Sequence, residues 1–203
     1  MKPINEIFYS LQGEGRWAGR PAVFVRFSGC NLRCPFCDTD HTAHDMLDNK
    51  QILERISRLR PSETDDDRPM LVVLTGGEPS LYVDEAFIVA LHSANLYVAI
   101  ETNGTRSLPD GIDWITLSPK DNFVDNADVV IDRADEVKFI FDGNDVPSLD
   151  TYPVVADTHL YLQPCDTGDA ERNAQIISAA VNYCLAHPRW LLSLQQHKII
   201  NIK

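Results

Sequence analysis

The chain has 203 residues and a mass of 22.8 kDa, enough for one domain with a full core and too short for two ordinary ones. Its net charge of −12 and pI near 4.8 argue against a tight binder of nucleic acid or of an anionic membrane, because phosphates recruit lysine and arginine. At 44% hydrophobic and 24% charged residues it reads as a soluble globular chain, with no apolar run near the roughly 18 to 20 residues of a membrane span and no signal segment after Met1 to Glu6, so the expectation is a cytoplasmic protein with neither nucleic-acid nor membrane partners.

Taken in chain order, Pro21 to Ser28 reads as a first strand. Directly after it stand Cys30, Cys34 and Cys37, three of five cysteines in the chain. Cysteines so close together in a cytosolic chain read poorly as disulfides and better as ligands to a soft metal. A helix begins near Asp48, where Asp48 and Gln51 have the spacing of a capping box. It runs through Ile52, Leu53 and Ile56 to about Arg60, before Pro61 stops it. Pro61 to Arg68 is a polar connection whose Asp65-Asp66-Asp67 run lacks the spaced ligands and glycine of a calcium loop and reads as solvated. Met70 to Thr75 is a second strand, apolar on both faces as a helix-covered parallel strand must be. A helix over Val83 to Ala94 follows, then strands at Tyr97–Glu101, Trp114–Ser118, Val137–Phe141 and Leu160–Gln163. A last long helix spans about Asp169 to Ala186, with Ala174, Ile177, Val181 and Cys184 on one face. This alternation predicts an α/β fold with a mostly parallel sheet. A complete eightfold barrel takes about 250 residues, so a partial, incomplete β/α barrel is expected, with 1–203 as a single domain lacking repeats or linkers.

The strongest chemical signal is the C-x3-C-x2-C run from Cys30 to Cys37. Three thiolates can hold three irons of a 4Fe-4S cluster, which leaves the fourth iron without a protein ligand. An open metal position marks a site that binds and activates something. The competing reading is structural zinc, since His41 or His44 could complete a Cys3His set. Thr75-Gly76-Gly77-Glu78-Pro79 follows the second strand. Glycines at the carboxyl end of a parallel strand let backbone approach a ligand where α/β sheets bind them, and Glu78 is suited to a ligand ammonium. Alone, this segment is an ordinary strand-to-helix turn; joined to the cysteine run, it is strong. Cys165 and Cys184 read as non-ligands, Cys184 as core, and His92, His159 and His187 as surface or packing residues.

The two motifs together resemble the radical S-adenosylmethionine superfamily, whose cluster loop reads C-x3-C-x-aromatic-C. The resemblance implies a radical SAM type of barrel and a free iron that chelates the amino and carboxylate groups of S-adenosylmethionine. Phe36 would lie against adenine, Gly77 and Glu78 would meet the methionine end, and reduction by the cluster would release a 5′-deoxyadenosyl radical. Asn5 to Gly15 (NEIFYSLQGEG), Pro21, Arg26, Cys37-Asp38-Thr39, Glu101 to Gly104, Ser118-Pro119-Lys120, Gln163-Pro164 and Gln196-His197-Lys198 narrow the resemblance. Together they look like the 7-carboxy-7-deazaguanine synthase family, from about Asn5 to Lys203.

That resemblance implies a lyase of queuosine-precursor (7-deazapurine) biosynthesis, converting 6-carboxy-5,6,7,8-tetrahydropterin to 7-carboxy-7-deazaguanine with loss of ammonia. It implies Cys30, Cys34 and Cys37 as 4Fe-4S ligands and Thr39 as a magnesium ligand. Phe36, Cys37, Asp38, Gly77, Glu78, Glu101, Ser118, Pro119, Lys120 and Gln163 would bind S-adenosylmethionine. Leu11, Gln12, Gly13, Glu14, Arg26, Thr75, His197 and Lys203 would bind the pterin, Arg26 and His197 through its carboxylate and Lys203 through its own terminal carboxylate. A homodimer and a reductant such as flavodoxin are carried over from the family. A glycyl-radical activase would share the cluster loop but is not expected to carry Leu11 to Gly15 with the Gln-His-Lys segment. A zinc-stabilised interaction module is the alternative outside enzymes.

Overall fold

A computed structural model describes residues 1–37, 39–42, 44–59, 61 and 67–203. Each expected strand is present: β2 (Pro21–Phe27), β4 (Met70–Gly76), β5 (Leu96–Thr102), β6 (Trp114–Leu117), β7 (Glu136–Phe141) and β8 (His159–Pro164). Three more were not read from the sequence: β1 (Lys2–Leu11), β3 (Asp45–Leu47) and β9 (Trp190–Leu192). All nine form one sheet in the order β3-β1-β2-β4-β5-β6-β7-β8-β9. From β2 to β9 the neighbours run parallel; β1 pairs antiparallel with both β2 and β3. The architecture is therefore the expected α/β partial barrel with a mostly parallel sheet.

The pattern in β1 is hidden by a register shift between Ile4 and Glu6. Ile4 and Ile7 face the helix-covered core, whereas Phe8 joins the opposite face. The shift flips the parity along the strand, so no period of two survives.

The helices are α1 (Asn49–Leu59), α2 (Glu85–Ser93), α3 (Ala170–Ala186) and the one-turn α4 (Gln196–Ile199). Asp48 and Gln51 form the reciprocal capping pair: the Gln51 amide donates to Asp48 Oδ1 at 2.8 Å, and the Asp48 amide donates to Gln51 Oε1 at 2.9 Å. Asp48→Ala is expected to lower stability by about 1 kcal/mol, read as a lower urea midpoint at unchanged slope. The Arg60 end of the expected helix lies outside the described residues, as do Asp65 and Asp66 of the acidic run. In α2 the expected start moves to Glu85, because Asp84 caps it by accepting from the Phe87 amide at 2.8 Å.

The face expected for α3 is corrected. Ala174, Ile177 and Val181 are exposed, while Ile176 and Ala180 are buried, with Ala179, Tyr183 and Cys184 packed beside them. The helix carries two apolar stripes, and the one bearing Tyr183 wins because its ring meets Phe141 and Trp190. Among the described residues no helix is long and apolar enough to cross a membrane.

Strand parity divides the sheet into two environments. Val23, Val25, Val72, Leu74, Val98, Ile100, Val137, Phe139 and Leu162 face the helices in the main core. The inner face begins with an apolar floor of Phe8, Ala22, Phe24, Leu71, Val73 and Ala99. Toward the strands' carboxyl ends the same face turns polar, with Arg26, Thr75, Glu101, Lys138 and Gln163. Ligands of parallel α/β sheets bind at this end.

Candidate active site

Two adjoining cavities open at the polar end of the inner face, of about 220 and 200 Å³. Cys30, Cys34, Phe36, Cys37, Gly77, Glu78, Ser118, Lys120 and Gln163 line the first. Leu11, Gln12, Gly13, Arg26, His197 and Lys203 line the second. Glu14, Thr39, Thr75, Gly76, Glu101 and Gln195 line both and form the seam between them. Most residues expected at the cofactor line the first cavity and most expected at the pterin line the second, while Glu101 from the first group and Glu14 and Thr75 from the second line both. Two expected cofactor residues stand apart. Pro119 is buried between Ser118 and Lys120 and lines neither cavity, and Asp38 lies outside the described residues.

The cysteine loop leaves β2 through Gly29, which sits at φ 89°. It is held against the β4 loop by two backbone bonds, Gly77 N–H to Phe27 O and Glu78 N–H to Gly29 O, both 2.9 Å. No thiol in it is in a disulfide. Burial raises the thiols of Cys30 and Cys34 above their ordinary values, and repulsion from neighbouring thiolates adds to that. A cationic iron–sulfur centre would remove the repulsion, so the donor set fits one. His41 Nε2 lies 3.6 Å from Cys37 Sγ.

Glu78 is 1% exposed. Its carboxylate accepts from Thr102 Oγ1 at 2.7 Å, from the Asn103 amide at 2.7 Å and from the Ser80 amide at 3.0 Å. It therefore clamps the end of β4 to the end of β5 and keeps about one of its four acceptor positions for a ligand. The glycines before it present backbone to the cavity. Across the cavity, Lys120 donates to Ser118 O at 2.6 Å and to Ser118 Oγ at 2.7 Å. Burial outweighs the pull of nearby acidic groups and brings its ammonium down to about 8.

In the second cavity Phe8 and Phe24 stack with centroids 5.0 Å apart. Glu6 joins two cations beside them, accepting from Arg26 Nε at 3.0 Å and from Lys203 Nζ at 2.5 Å. The Lys203 carbonyl oxygen is held by Ser10 Oγ at 2.6 Å. α4 docks on the Gln12-Gly13-Glu14 loop, where the Gln196 amide donates to Gly13 O at 3.0 Å. A methyl group on Gly13 would fall 2.4 Å from His197 Nδ1, so that approach requires glycine.

The seam holds a charge network. Lys138 Nζ donates to Glu14 Oε2 and lies 3.4 Å from Glu101 Oε1. Glu101 also accepts from Gln12 Nε2 at 3.1 Å and from Thr75 Oγ1 at 2.8 Å. Gln195 Nε2 donates to Glu14 Oε1 at 3.1 Å. Burial alone would raise the Glu14 carboxyl, but the charge and hydrogen bond of Lys138 outweigh it and bring it down to about 2. Burial pulls the Lys138 ammonium down, and Glu101, Glu14 and Glu136 push it further up, so it stays charged. Lys138 and Gln195 were not singled out from the sequence. Lys138 did leave a signal, a cation at inward parity inside the apolar run of β7; Gln195 sits in a segment with no periodicity.

The Radical SAM superfamily matches residues 24–138. A 7-carboxy-7-deazaguanine synthase of Bacteroides thetaiotaomicron is 47% identical over 203 residues, covering 100% of both chains. One of Nitratidesulfovibrio vulgaris is 43% identical, covering 98% of each. The crystal structure of QueE from Escherichia coli superposes with a TM-score of 0.72 at 26% identity, over 97% of this chain and 94% of that one.

Proposed function

The chain belongs to the 7-carboxy-7-deazaguanine synthases of the radical S-adenosylmethionine superfamily, and from that premise we infer how its two cavities divide the work. It is an enzyme acting on a small molecule, a carbon–nitrogen lyase that contracts 6-carboxy-5,6,7,8-tetrahydropterin to 7-carboxy-7-deazaguanine with loss of ammonia. Neither the activase nor the zinc-module alternative is favoured by this membership. The superfamily implies a 4Fe-4S cluster and S-adenosylmethionine.

The observation that supports the division is the seam, where residues expected at the cofactor and residues expected at the pterin line one continuous space. When bound, the cluster and S-adenosylmethionine would supply one-electron, hydrogen-abstracting chemistry at the seam. The chain's own task is to hold reactive atoms in register and keep other hydrogen donors out. Cys30, Cys34 and Cys37 hold the cluster. Phe36, its ring edge-on to Phe123 at 4.9 Å, covers the adenine, and the Gly77 backbone, Ser118, Lys120 and Gln163 border the rest of the cofactor. Arg26 and His197 take the substrate carboxylate, while Gln12, Glu14 and Thr75 meet the ring donors. Lys203 closes the outer wall. The inner wall is the apolar floor of Phe8 and Phe24, which excludes water.

Magnesium belongs to this reading through Thr39, a hydroxyl at the seam. Magnesium takes oxygen ligands and keeps several waters, so one protein hydroxyl suits it. Thr39→Ala is expected to leave iron content intact and to flatten the dependence of rate on added magnesium; an unchanged magnesium response removes Thr39 from that role. A single domain, cytoplasmic residence, a homodimer and a reductant such as flavodoxin complete the proposal. The test of the whole is turnover: anaerobically reconstituted, reduced protein given S-adenosylmethionine and carboxytetrahydropterin is expected to release the deazaguanine acid and ammonia in equal amounts. Inertness under those conditions, with about four irons bound, overturns it.

A further inference from the structure

Lys138 touches the two seam carboxylates at once, and none of the expected roles uses it. Its side chain is 5% exposed and meets carboxylates from two other elements, Glu14 in the loop after β1 and Glu101 on β5, whose side chains are 13% and 24% exposed. Both carboxylates lie at the seam. Without a cation between them, two half-buried carboxylates converging on one point would repel each other, since like charges disfavour joint ionisation. A protonated carboxyl is a donor, and the donor edge of a pterin, with its ring N–H and exocyclic amino group, needs acceptors. Lys138 removes that conflict, and together with its neutral neighbours it leaves each carboxylate about one acceptor position for a ligand. Gln12, Thr75 and Gln195 then fix the orientation of the two carboxylates by neutral hydrogen bonds.

We infer that Lys138 is a positioning residue that holds Glu14 and Glu101 as paired, acceptor-only carboxylates and so sets the site's preference for a heterocycle with adjacent N–H donors. The inference rests on the pterin reading of the site and adds a determinant of that recognition. The charged groups facing Lys138 are Glu14, Glu101, Glu136 on its own strand and Lys120 from the loop after β6. Gln163 of β8 and Gln195 before α4 complete the surroundings without charge.

The test compares wild type, Lys138→Met, Lys138→Arg, Glu14→Gln and the double variant Glu14→Gln/Lys138→Met, each reconstituted to equal iron content, with kcat and KM for carboxytetrahydropterin measured across pH. Lys138→Met is expected to raise KM roughly tenfold or more and to move the acid limb of kcat/KM upward by about one pH unit or more. Lys138→Arg, which keeps the charge, is expected to leave that limb in place. A limb and KM unchanged in Lys138→Met, with only the thermal midpoint lowered, overturn the inference. Should Lys138→Met fail to fold, the double variant, whose network has the same net charge as wild type, decides: its acid limb is expected above that of Glu14→Gln, and equal limbs overturn the inference. A wild-type enzyme inert toward the pterin overturns the functional reading instead, so the two failures are separable.

Discussion

Alanine at Cys34 is expected to give a colourless protein without bound iron and with activity at background. On the proposed assignment three thiols would hold the cluster, so removing one leaves two, too few to retain it. Cys34 is the middle ligand of the loop, and its thiol faces the cofactor cavity. The chain nevertheless offers an apparent substitute, Cys165, which lines the same cavity and is 8% exposed. That thiol lies at the end of β8 and points toward Asp166 O at 3.9 Å, outside the Cys30–Cys37 loop, so it is not expected to rescue binding. Cys165→Ala and Cys184→Ala therefore serve as controls that keep iron and colour. The backbone bonds from the β4 loop to Phe27 and Gly29 do not involve the thiol, so apo Cys34→Ala should unfold at the same urea concentration as apo wild type. The readouts are iron per chain and visible absorbance after anaerobic reconstitution. Iron near wild-type content in Cys34→Ala would falsify the three-ligand assignment.

What could be read from the sequence is what depends on local chemistry. Thiol spacing from Cys30 to Cys37 needs no tertiary information, because one loop carries all three cysteines. The same holds for Gly76 and Gly77, whose place at the end of an apolar strand puts them at the ligand-binding rim. The capping box at Asp48 is equally local. Strand identity survived wherever the strand is buried on both faces, as in β4 and β8. It failed in β1, where a bulge breaks the alternation, and in β3 and β9, which are three residues each and too short to carry a pattern. The α3 face was misassigned because two apolar stripes compete on that helix, and only the rings of Phe141 and Trp190 decide between them.

The seam was partly legible for the same reason. Glu14 and Glu101 lie in motifs whose resemblance assigned them to pterin and cofactor, but that they share one cation follows only from the pairing of β5 to β6 and β6 to β7 and from the docking of the loop after β1 on β7, where the Arg16 amide donates to Glu136. Glu78 shows the converse. Its charge suggested a partner for the ligand ammonium, and in the fold three of its acceptor positions are already taken by Thr102, Asn103 and Ser80. A residue's type was visible in the sequence; which of its lone pairs remained free was not.

Gly77→Ala is expected to disrupt the site as severely as loss of a ligand, by a different route. A methyl group there would fall 1.9 Å from Gly29 O and 2.5 Å from Gly29 C. Both are backbone atoms, so no rotamer change relieves the clash, and the β4 loop must separate from the cysteine loop. Separation stretches the Glu78 N–H to Gly29 O bond of 2.9 Å and drags Cys30, the next residue, out of register with Cys34 and Cys37. Overpacking and a lost backbone bond together correspond to about 2 to 4 kcal/mol of stability. Gly19→Ala provides the contrast. Gly19 sits at φ 84° with nothing within 4 Å of an added methyl, so alanine there costs about 1 to 2 kcal/mol of backbone strain and leaves the site alone. Both variants are therefore expected to unfold earlier in urea, but only Gly77→Ala should also lose iron and S-adenosylmethionine binding, the latter measured by equilibrium dialysis. If Gly77→Ala kept both at wild-type level, the contact between the two loops would be a matter of folding alone, and the alignment of cluster and cofactor would have to come from elsewhere on the rim.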